Sequence, residues 1–170
     1  MSQHRGDEVD RIVAAWARER PDLDVSPLEV LSRVSRLARH LDLARREAFG
    51  AHGLESWEFD VLSALRRAGH PYELTPTQLV RQTLVTSGTM TNRIARLVER
   101  GLVERAASPA DHRSVLVRLT AGGRGVVDAA LADLVDDERR LLQALPPARQ
   151  AELATLLKGL LEPFDDAAPT

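Results

Sequence analysis

Cysteine is absent from this 170-residue sequence, and its absence excludes disulfide bonds, thiolate metal sites and cysteine-based redox sensing. Aromatic residues make up only 4% of the chain, so leucine, valine and alanine must build its core. No apolar run approaches the roughly 20 residues that a membrane-spanning helix needs. Residues 1–11 are polar and lack the apolar segment of a signal peptide. Together these absences predict a cytoplasmic protein.

Metal-binding and catalytic patterns are also missing. The five histidines are scattered, and none has the three- or four-residue spacing of ligands on a helix, so the sequence predicts no metal and no cofactor. There is no G-x-S-x-G nucleophile motif, no glycine-rich phosphate loop and no carboxylate pair with an evident role in a cleft. We therefore expect a protein that is not an enzyme.

Charge is distributed unevenly along the chain, although its net charge is only −2. Residues 86–118 carry six arginines against three acidic residues, whereas residues 128–170 carry nine acidic residues against four basic ones. A basic segment suits contact with nucleic-acid phosphates. The distribution therefore favours a DNA-binding region joined to a region that forms a dimer.

The basic segment belongs to a longer stretch, residues 75–119, whose first part predicts two helices joined by a turn. A capping box at residues 75–78, with proline at the first helical position, starts the first helix. The second helix is predicted from Thr86 or Ser87 to a C-terminal cap at Gly101. Residues at helical spacing form its apolar stripe, namely Met90, Ile94, Leu97 and Val98.

The second part of this stretch predicts a β-hairpin. Residues 102–105 and 114–119 have the composition of strands, and residues 106–113 form the tip between them. Two helices followed by a hairpin form a winged helix-turn-helix, which places its second helix in the major groove of DNA.

Long helices are predicted on both sides of the winged helix-turn-helix. Residues 7–19 form one helix, a capping box at residues 26–29 starts a longer one that ends near Phe49, and Thr120 caps another. A single copy could hardly bury all their apolar stripes, so we expect a homodimer. The predicted fold class is mainly α with a small β-hairpin wing. The predicted regions are an extra N-terminal helix and linker (1–25), a helical dimerisation region (26–53 and 120–165), a winged helix-turn-helix DNA-binding region (54–119) and a flexible tail (166–170).

Polar side chains off the apolar stripe are candidates for DNA contact. Serine and threonine hydroxyls suit phosphates, and arginine or asparagine can pair with base edges. At the wing tip, Asp111 is expected to hold Arg113 for contact with the minor groove or a phosphate. The alternatives are a solvated helix face and a surface ion pair of little energy. The candidate DNA contacts are Thr75, Thr77, Ser87, Thr89, Thr91, Asn92, Arg93, Arg96, Asp111 and Arg113.

These residues resemble the MarR family of winged-helix regulators, and the resemblance covers nearly the whole chain. It is carried by residues 85–93, by residues 101–105 and by the wing pattern at residues 111–113 ahead of residues 116–120. The family more often has arginine where His112 stands. The resemblance implies a repressor that binds palindromic operator DNA as a homodimer.

A closer resemblance is to the PecS-like branch of that family, which has urate-responsive members. The branch shares an N-terminal helix with a tryptophan, and it shares residues 20–24 and 58–62. The resemblance implies a small anionic ligand such as urate, held by two arginines and covered by the tryptophan. Charge repulsion with an aspartate would shift the recognition helix and weaken DNA binding. In this sequence the implied ligand set falls on Trp16, Asp60, Arg67 and Arg105.

Without the resemblance, Asp60 and Arg67 are seven residues apart and share one face of a helix predicted over residues 54–68, whose apolar face includes Trp57. The apolar neighbours of Asp60 predict that it is partly buried and therefore paired. A structural ion pair is the alternative to a ligand site.

Other readings of the chain stay open. Within the same family, the alternatives are a regulator whose ligand is a citrate-like carboxylate or a phenolic compound, and a regulator that has no ligand. From another class, the chain could be a helical interaction module that does not bind DNA. His40 in the long helix could meet its copy across a two-fold axis and make DNA binding pH-sensitive, or it could be an ordinary exposed histidine.

Overall fold

The computed structural model describes residues 6–107 and 115–165, and the chain divides into two compact units, Met1–Ser56 and Trp57–Thr170. The architecture is mainly helical with one small sheet, as predicted. In chain order the elements are α1 (Glu8–Glu19), α2 (Pro27–Ala51), α3 (Ser56–Arg67), β1 (Glu73–Leu74), α4 (Pro76–Thr83), α5 (Ser87–Glu99), β2 (Val103–Ala107), β3 (Val115–Leu119), α6 (Ala121–Leu142) and α7 (Pro147–Asp165).

The first unit is a pair of helices joined by polar contacts. Asp7 caps α1 and forms a reciprocal capping box with Asp10. Arg33 of α2 donates to both carboxylates, at 2.8 Å from its Nε to Asp7 and 2.6 Å from its Nη2 to Asp10. The Arg33 guanidinium thereby holds the pKa of the Asp7 carboxyl below its usual value. The cap of α1 is therefore also its connection to α2.

The predicted capping box at the start of α2 is wrong. The Ser26 backbone is helical and its side chain makes no capping hydrogen bond, whereas an N-cap residue normally has an extended backbone. The carboxylate of Asp24 instead accepts a hydrogen bond from the Ser26 backbone N–H at 3.0 Å. Pro27 still occupies the first helical turn. The helix therefore starts where predicted but by a different contact.

The second unit carries the helix-turn-helix and a three-stranded antiparallel sheet in the order β1-β3-β2. The hairpin of β2 and β3 was predicted, but the third strand was not, because residues 70–74 were expected to be only an extended link. Two residues, Glu73 and Leu74, pair with Arg118 and Val117 of β3. A two-residue strand has no alternation to detect, so only its tertiary pairing defines it.

The core of the second unit comes from both helices of the helix-turn-helix, from α3, from α6 and from the sheet. The predicted capping box of α4 is confirmed, with Thr75 Oγ1 accepting from the Gln78 N–H at 3.2 Å. Among the described residues, the largest side chains with less than 2% of their surface exposed are Leu62, Leu65, Leu79, Met90, Leu97, Glu58, Val9, Val61, Val103, Val117 and Val127, of which Val9 lies in the first unit.

The first turn of α6 approaches the sheet closely, and glycine permits the approach. Thr120 caps α6 as predicted, and its Oγ1 also donates to the carbonyl of Gly101 at 2.8 Å. A Cβ added at Gly123 would lie 2.0 Å from the Leu102 carbonyl oxygen and 2.9 Å from Leu119 Cδ1. Of the glycines in the first turns of α6, Gly123 is therefore required by the packing of this helix against Leu102, which precedes β2, and Leu119 of β3.

None of the helices within the described ranges combines the length and the apolar composition needed to cross a membrane.

We expect Gly123→Ala to lower the free energy of unfolding by about 2 kcal/mol, because the added methyl overpacks a backbone contact. Gly125→Ala is the matched control, since a Cβ there meets nothing within 4 Å. The control should raise stability by up to about 1 kcal/mol through helix propensity. Urea denaturation followed by circular dichroism measures both. Equal midpoints for the two variants would contradict the close approach.

Candidate nucleic-acid interface

The recognition helix α5 presents a polar surface at its first turns. Thr86 caps it by accepting from the Thr89 N–H, and the Thr91 hydroxyl donates to the Ser87 carbonyl at 3.0 Å. Ser87, Thr89, Thr91 and Asn92 are exposed, whereas Met90, Ile94 and Leu97 are buried. Val98, predicted to complete the stripe, is 37% exposed. The hydroxyls and the amide are therefore held on a helix whose opposite face is fixed in the core.

The turn before α5 has an unusual backbone. Leu84 follows α4 in the left-handed conformation at φ 53°, and its side chain is 87% exposed. Both features cost free energy for a leucine.

Two DNA contacts were predicted at the start of α4. Thr77 is exposed there, while the Thr75 hydroxyl is hydrogen-bonded to Gln78.

Arg93 and Arg96 lie on one flank of α5, beside the start of α3. Their guanidinium carbons are 5.4 Å and 4.8 Å from the centroid of the Trp57 ring, within the range of cation–π contact. Trp57 was predicted on the apolar face of its helix, and it is instead half-buried under two charges. The sequence pattern missed this because Arg93 and Trp57 are far apart along the chain.

The next residue, Glu58, is the buried carboxylate of the unit, with 1% of its surface exposed. It accepts a hydrogen bond from Arg100, the residue that ends α5. The prediction placed partial burial on Asp60, and this is wrong, because Asp60 is exposed on the opposite side of α3. The apolar neighbours of Asp60 turn toward the core, while the helix turns Asp60 itself away.

Asp60 and Arg67 line one cavity of about 230 Å³, as their shared helix face predicted. Ser63 lies between them, and its hydroxyl accepts from Arg67 Nη1 at 3.1 Å. The last two residues of α4 and the residue after it form the other wall, so that the full lining is Asp60, Ser63, Arg67, Gln82, Thr83 and Leu84. Sequence reasoning missed Leu84, which lines this cavity. Leu84 lies two residues before Thr86, the N-cap of the recognition helix.

The other predicted ligand residues lie elsewhere. Arg105 is exposed on β2, opposite Val117 of β3, and it does not line this cavity. Trp16 lies on α1 in the first unit and exposes half of its surface. His40 is exposed on α2, where it lines a small depression with Arg36 and Arg39. The roles of these three residues stay predictions.

At the wing, β2 and β3 are described, but Asp111 and Arg113 lie outside the described residues. The base of the wing is held by Arg118, whose Nη2 is 2.8 Å from Glu73 of β1. The Glu73 carboxylate raises the pKa of Arg118 above its usual value.

A larger cavity of about 460 Å³ beside Arg118 is lined by Arg118, Arg124, His70 and Tyr72 among others. Within the two described ranges, no three histidine or acidic side chains are grouped to hold a metal ion.

A helix held in the core with its polar turns exposed, followed by a two-stranded wing, defines a winged helix-turn-helix protein of the DNA-binding class. Residues 52–114 match the sequence model of the MarR family. The chain is also 36% identical to the HTH-type transcriptional regulator PecS of Dickeya dadantii, over 88% of this chain and 90% of that protein. It belongs to the MarR family, which confirms the family predicted from the residues.

Solved structures agree with this assignment. A mutant MarR from Escherichia coli, complexed with operator DNA, is 30% identical, with a TM-score of 0.66 over 82% of this chain and 99% of that one. BpsR of Bordetella bronchiseptica, whose DNA binding is regulated by 6-hydroxynicotinic acid, is 27% identical, with a TM-score of 0.64 over 77% of this chain and 91% of that one. The chain is a DNA-binding transcriptional regulator and, as predicted, not an enzyme.

We expect Arg100→Gln to destabilise the fold by about 2 kcal/mol. This is less than the 3–5 kcal/mol of a fully buried pair, because the Arg100 side chain is 41% exposed. In a Glu58→Gln background the same change should cost much less, because no buried charge then loses its counter-charge.

Thermal and urea unfolding of the four proteins in this cycle measure the coupling between Glu58 and Arg100. Arg139→Gln, which removes an ion pair with Asp136 exposed on both sides, is the control and should cost less than about 1 kcal/mol. An equal loss from Arg100→Gln in both backgrounds would show that the two residues are not coupled.

Proposed function

We propose that the chain is a repressor that binds palindromic operator DNA as a homodimer and is released from it by a small organic anion such as urate. The observation that carries the DNA part is the exposed row of Ser87, Thr89, Thr91 and Asn92 on a helix fixed in the core by Met90, Ile94 and Leu97. A helix presenting such a row can enter a major groove without rearrangement.

The residues in that row divide by chemistry. The hydroxyls of Ser87, Thr89 and Thr91 suit phosphate oxygens, which fix the register of the helix but carry no sequence information. Asn92 is the candidate for base recognition, because an asparagine amide can donate to and accept from one adenine edge. Arg93 and Arg96 add positive charge on the flank.

The proposed dimer is supported by apolar side chains that lie exposed on the long helices. Leu31, Val34 and Leu37 on α2 recur at helical spacing, and a second row on α7 consists of Leu156, Leu160, Leu161 and Phe164. Exposed apolar rows of this extent mark association surfaces. In a symmetric dimer the two recognition helices would read half-sites about one helical turn of DNA apart.

The proposed ligand site centres on the cavity between α3 and the turn after α4. Arg67 supplies a cation for an organic anion, and Ser63 holds that guanidinium at 3.1 Å. Asp60 on the same wall would repel the anion. Leu84 on the opposite wall precedes the cap of α5, so a ligand that displaces the turn would also displace the recognition helix.

Urate and other aromatic anions are the first ligands to test. DNA binding by the related protein BpsR is regulated by 6-hydroxynicotinic acid, which is an aromatic acid. Citrate-like carboxylates and phenolic compounds are alternatives, since an arginine pairs with any of their anions. A regulator that responds to no ligand is the remaining possibility.

Asn92→Ala should weaken binding to the operator about tenfold or more, because one good contact to a base pair contributes about 1–3 kcal/mol of discrimination. Binding to unrelated DNA should be unchanged, and so should the salt dependence, because the amide carries no charge. Gel-shift titrations on the DNA upstream of the chain's own gene measure these quantities. Sedimentation of the complex should show two chains bound to each site.

The matched control is Gln143→Ala, which removes an exposed amide at the end of α6. Arg113→Ala tests the wing separately and should weaken binding to all DNA while reducing the salt slope by about 0.9. A wild-type chain with no palindrome preference and a flat salt dependence would support an interaction module instead.

Urate should raise the melting temperature of the wild-type protein and release it from the operator, and Arg67→Ala should lose both effects. Asp60→Asn should bind urate at least as tightly, because it removes the repulsion, but should release DNA less readily. Arg105→Ala, measured in parallel, tests the member of the predicted set that lies outside the cavity. Thermal shift and gel shift with increasing urate measure binding and release separately.

Arg149→Ala is the control for lost charge, because this arginine is exposed on α7 and paired with Glu152. If urate has no effect on the wild-type protein, the same two assays are repeated with 6-hydroxynicotinic acid, citrate and phenolic compounds. An unchanged melting temperature with all of them would remove the ligand part of the proposal and leave the DNA part intact.

A further inference from the structure

Three arginines of the recognition helix face the start of α3. Arg93, Arg96 and Arg100 follow one another at spacings of three and four residues, which places them on one flank of α5. Trp57 and Glu58, adjacent on α3, meet this flank, with the tryptophan ring near the first two arginines and the carboxylate bonded to the third. The flank is thus seated along its length on two consecutive side chains.

The two kinds of contact have different consequences. Glu58 is buried, so its bond to Arg100 neutralises a charge inside the fold. Trp57 is only half-buried, and its ring attracts the two guanidinium groups, whose central carbons lie 5.4 Å and 4.8 Å from its centroid. The N–H donors of a guanidinium point outward around its edge, so the donors that are turned away from the ring suit phosphate oxygens.

We propose that Trp57 is a positioning residue for DNA binding, which holds Arg93 and Arg96 in the orientation that contacts the phosphates beside the recognition helix. This inference rests on the proposed DNA binding. A long arginine side chain loses rotamer freedom when it binds a phosphate, and an arginine already ordered on a ring loses less. One aromatic ring thus orders two arginine side chains before DNA binds.

The helix geometry supports a role outside the core. The buried stripe of α5 already fixes the helix through Met90, Ile94 and Leu97, and the Glu58–Arg100 bond secures its end. Two further arginines over Trp57 are not needed to close that core. Their positive charges on the flank instead add to the basic surface that α5 and the wing would present to DNA.

The test compares Trp57→Leu, which removes the ring, with Trp57→Phe, which keeps an aromatic face. Trp57→Leu should weaken DNA binding about three- to thirtyfold, the range of a cation–π contact, while the slope of affinity against salt stays that of the wild type. Trp57→Phe should retain most of the affinity. Arg96→Ala should instead lower the slope by about 0.9, because it removes a phosphate contact.

The double variant Trp57→Leu/Arg96→Ala should lose less affinity than the product of the two single losses, since the ring acts through the arginine. Melting temperatures of all variants establish that each is folded at the assay temperature. Affinity of Trp57→Leu equal to that of the wild type, or an equal loss in Trp57→Phe, would overturn the role of Trp57. A wild-type chain that prefers no operator would instead remove the DNA-binding proposal on which the inference rests.

Discussion

The winged helix-turn-helix depends on one buried charge, the carboxylate of Glu58. Glu58 is almost completely shielded from water, and an ionised carboxylate in that position is stable only with a cationic partner. Arg100, the C-terminal cap of the recognition helix, is that partner. The pair therefore sets the distance between the start of α3 and the end of α5. The apolar stripe could tolerate small slides of one helix along the other, but a buried ion pair tolerates few, because its geometry must be good to offset desolvation.

From this constraint, α3 acquires two functional sides. One side carries Trp57 and Glu58 and contacts the arginine flank of α5, while the other carries Asp60, Ser63 and Arg67 and lines the candidate ligand cavity. The second wall of that cavity is the turn that ends at Leu84, and α5 begins three residues later. Any movement of the turn relative to α3 is therefore also a movement of α5, with Trp57 and Glu58 as the contacts that resist it.

The sequence pattern was sufficient for most features whose signal is local. Capping boxes at residues 75–78, the stripe of Met90, Ile94 and Leu97, and the cap at Thr120 depend on neighbours within one or two turns, and the structure has all of them. Local patterns failed where two elements meet. The burial of Glu58, the two guanidinium groups over Trp57 and the two-residue strand β1 are each defined by a partner more than 30 residues away. Ser26 failed for another reason, since Asp24 competes with it for the same helix start.

The contrast between Glu58 and Asp60 explains why the sequence could place Asp60 and Arg67 on one helix face but could not predict the surroundings of that face. Both are acidic residues among apolar neighbours, and only the rotation of α3 decides that Glu58 turns inward and Asp60 outward. An inward carboxylate must keep a permanent partner, so it can serve only as structure. An outward one on a cavity wall is solvated and can interact with whatever enters. Two positions within one turn of α3 thus place one charge against the end of the recognition helix and another on the wall of the candidate ligand cavity.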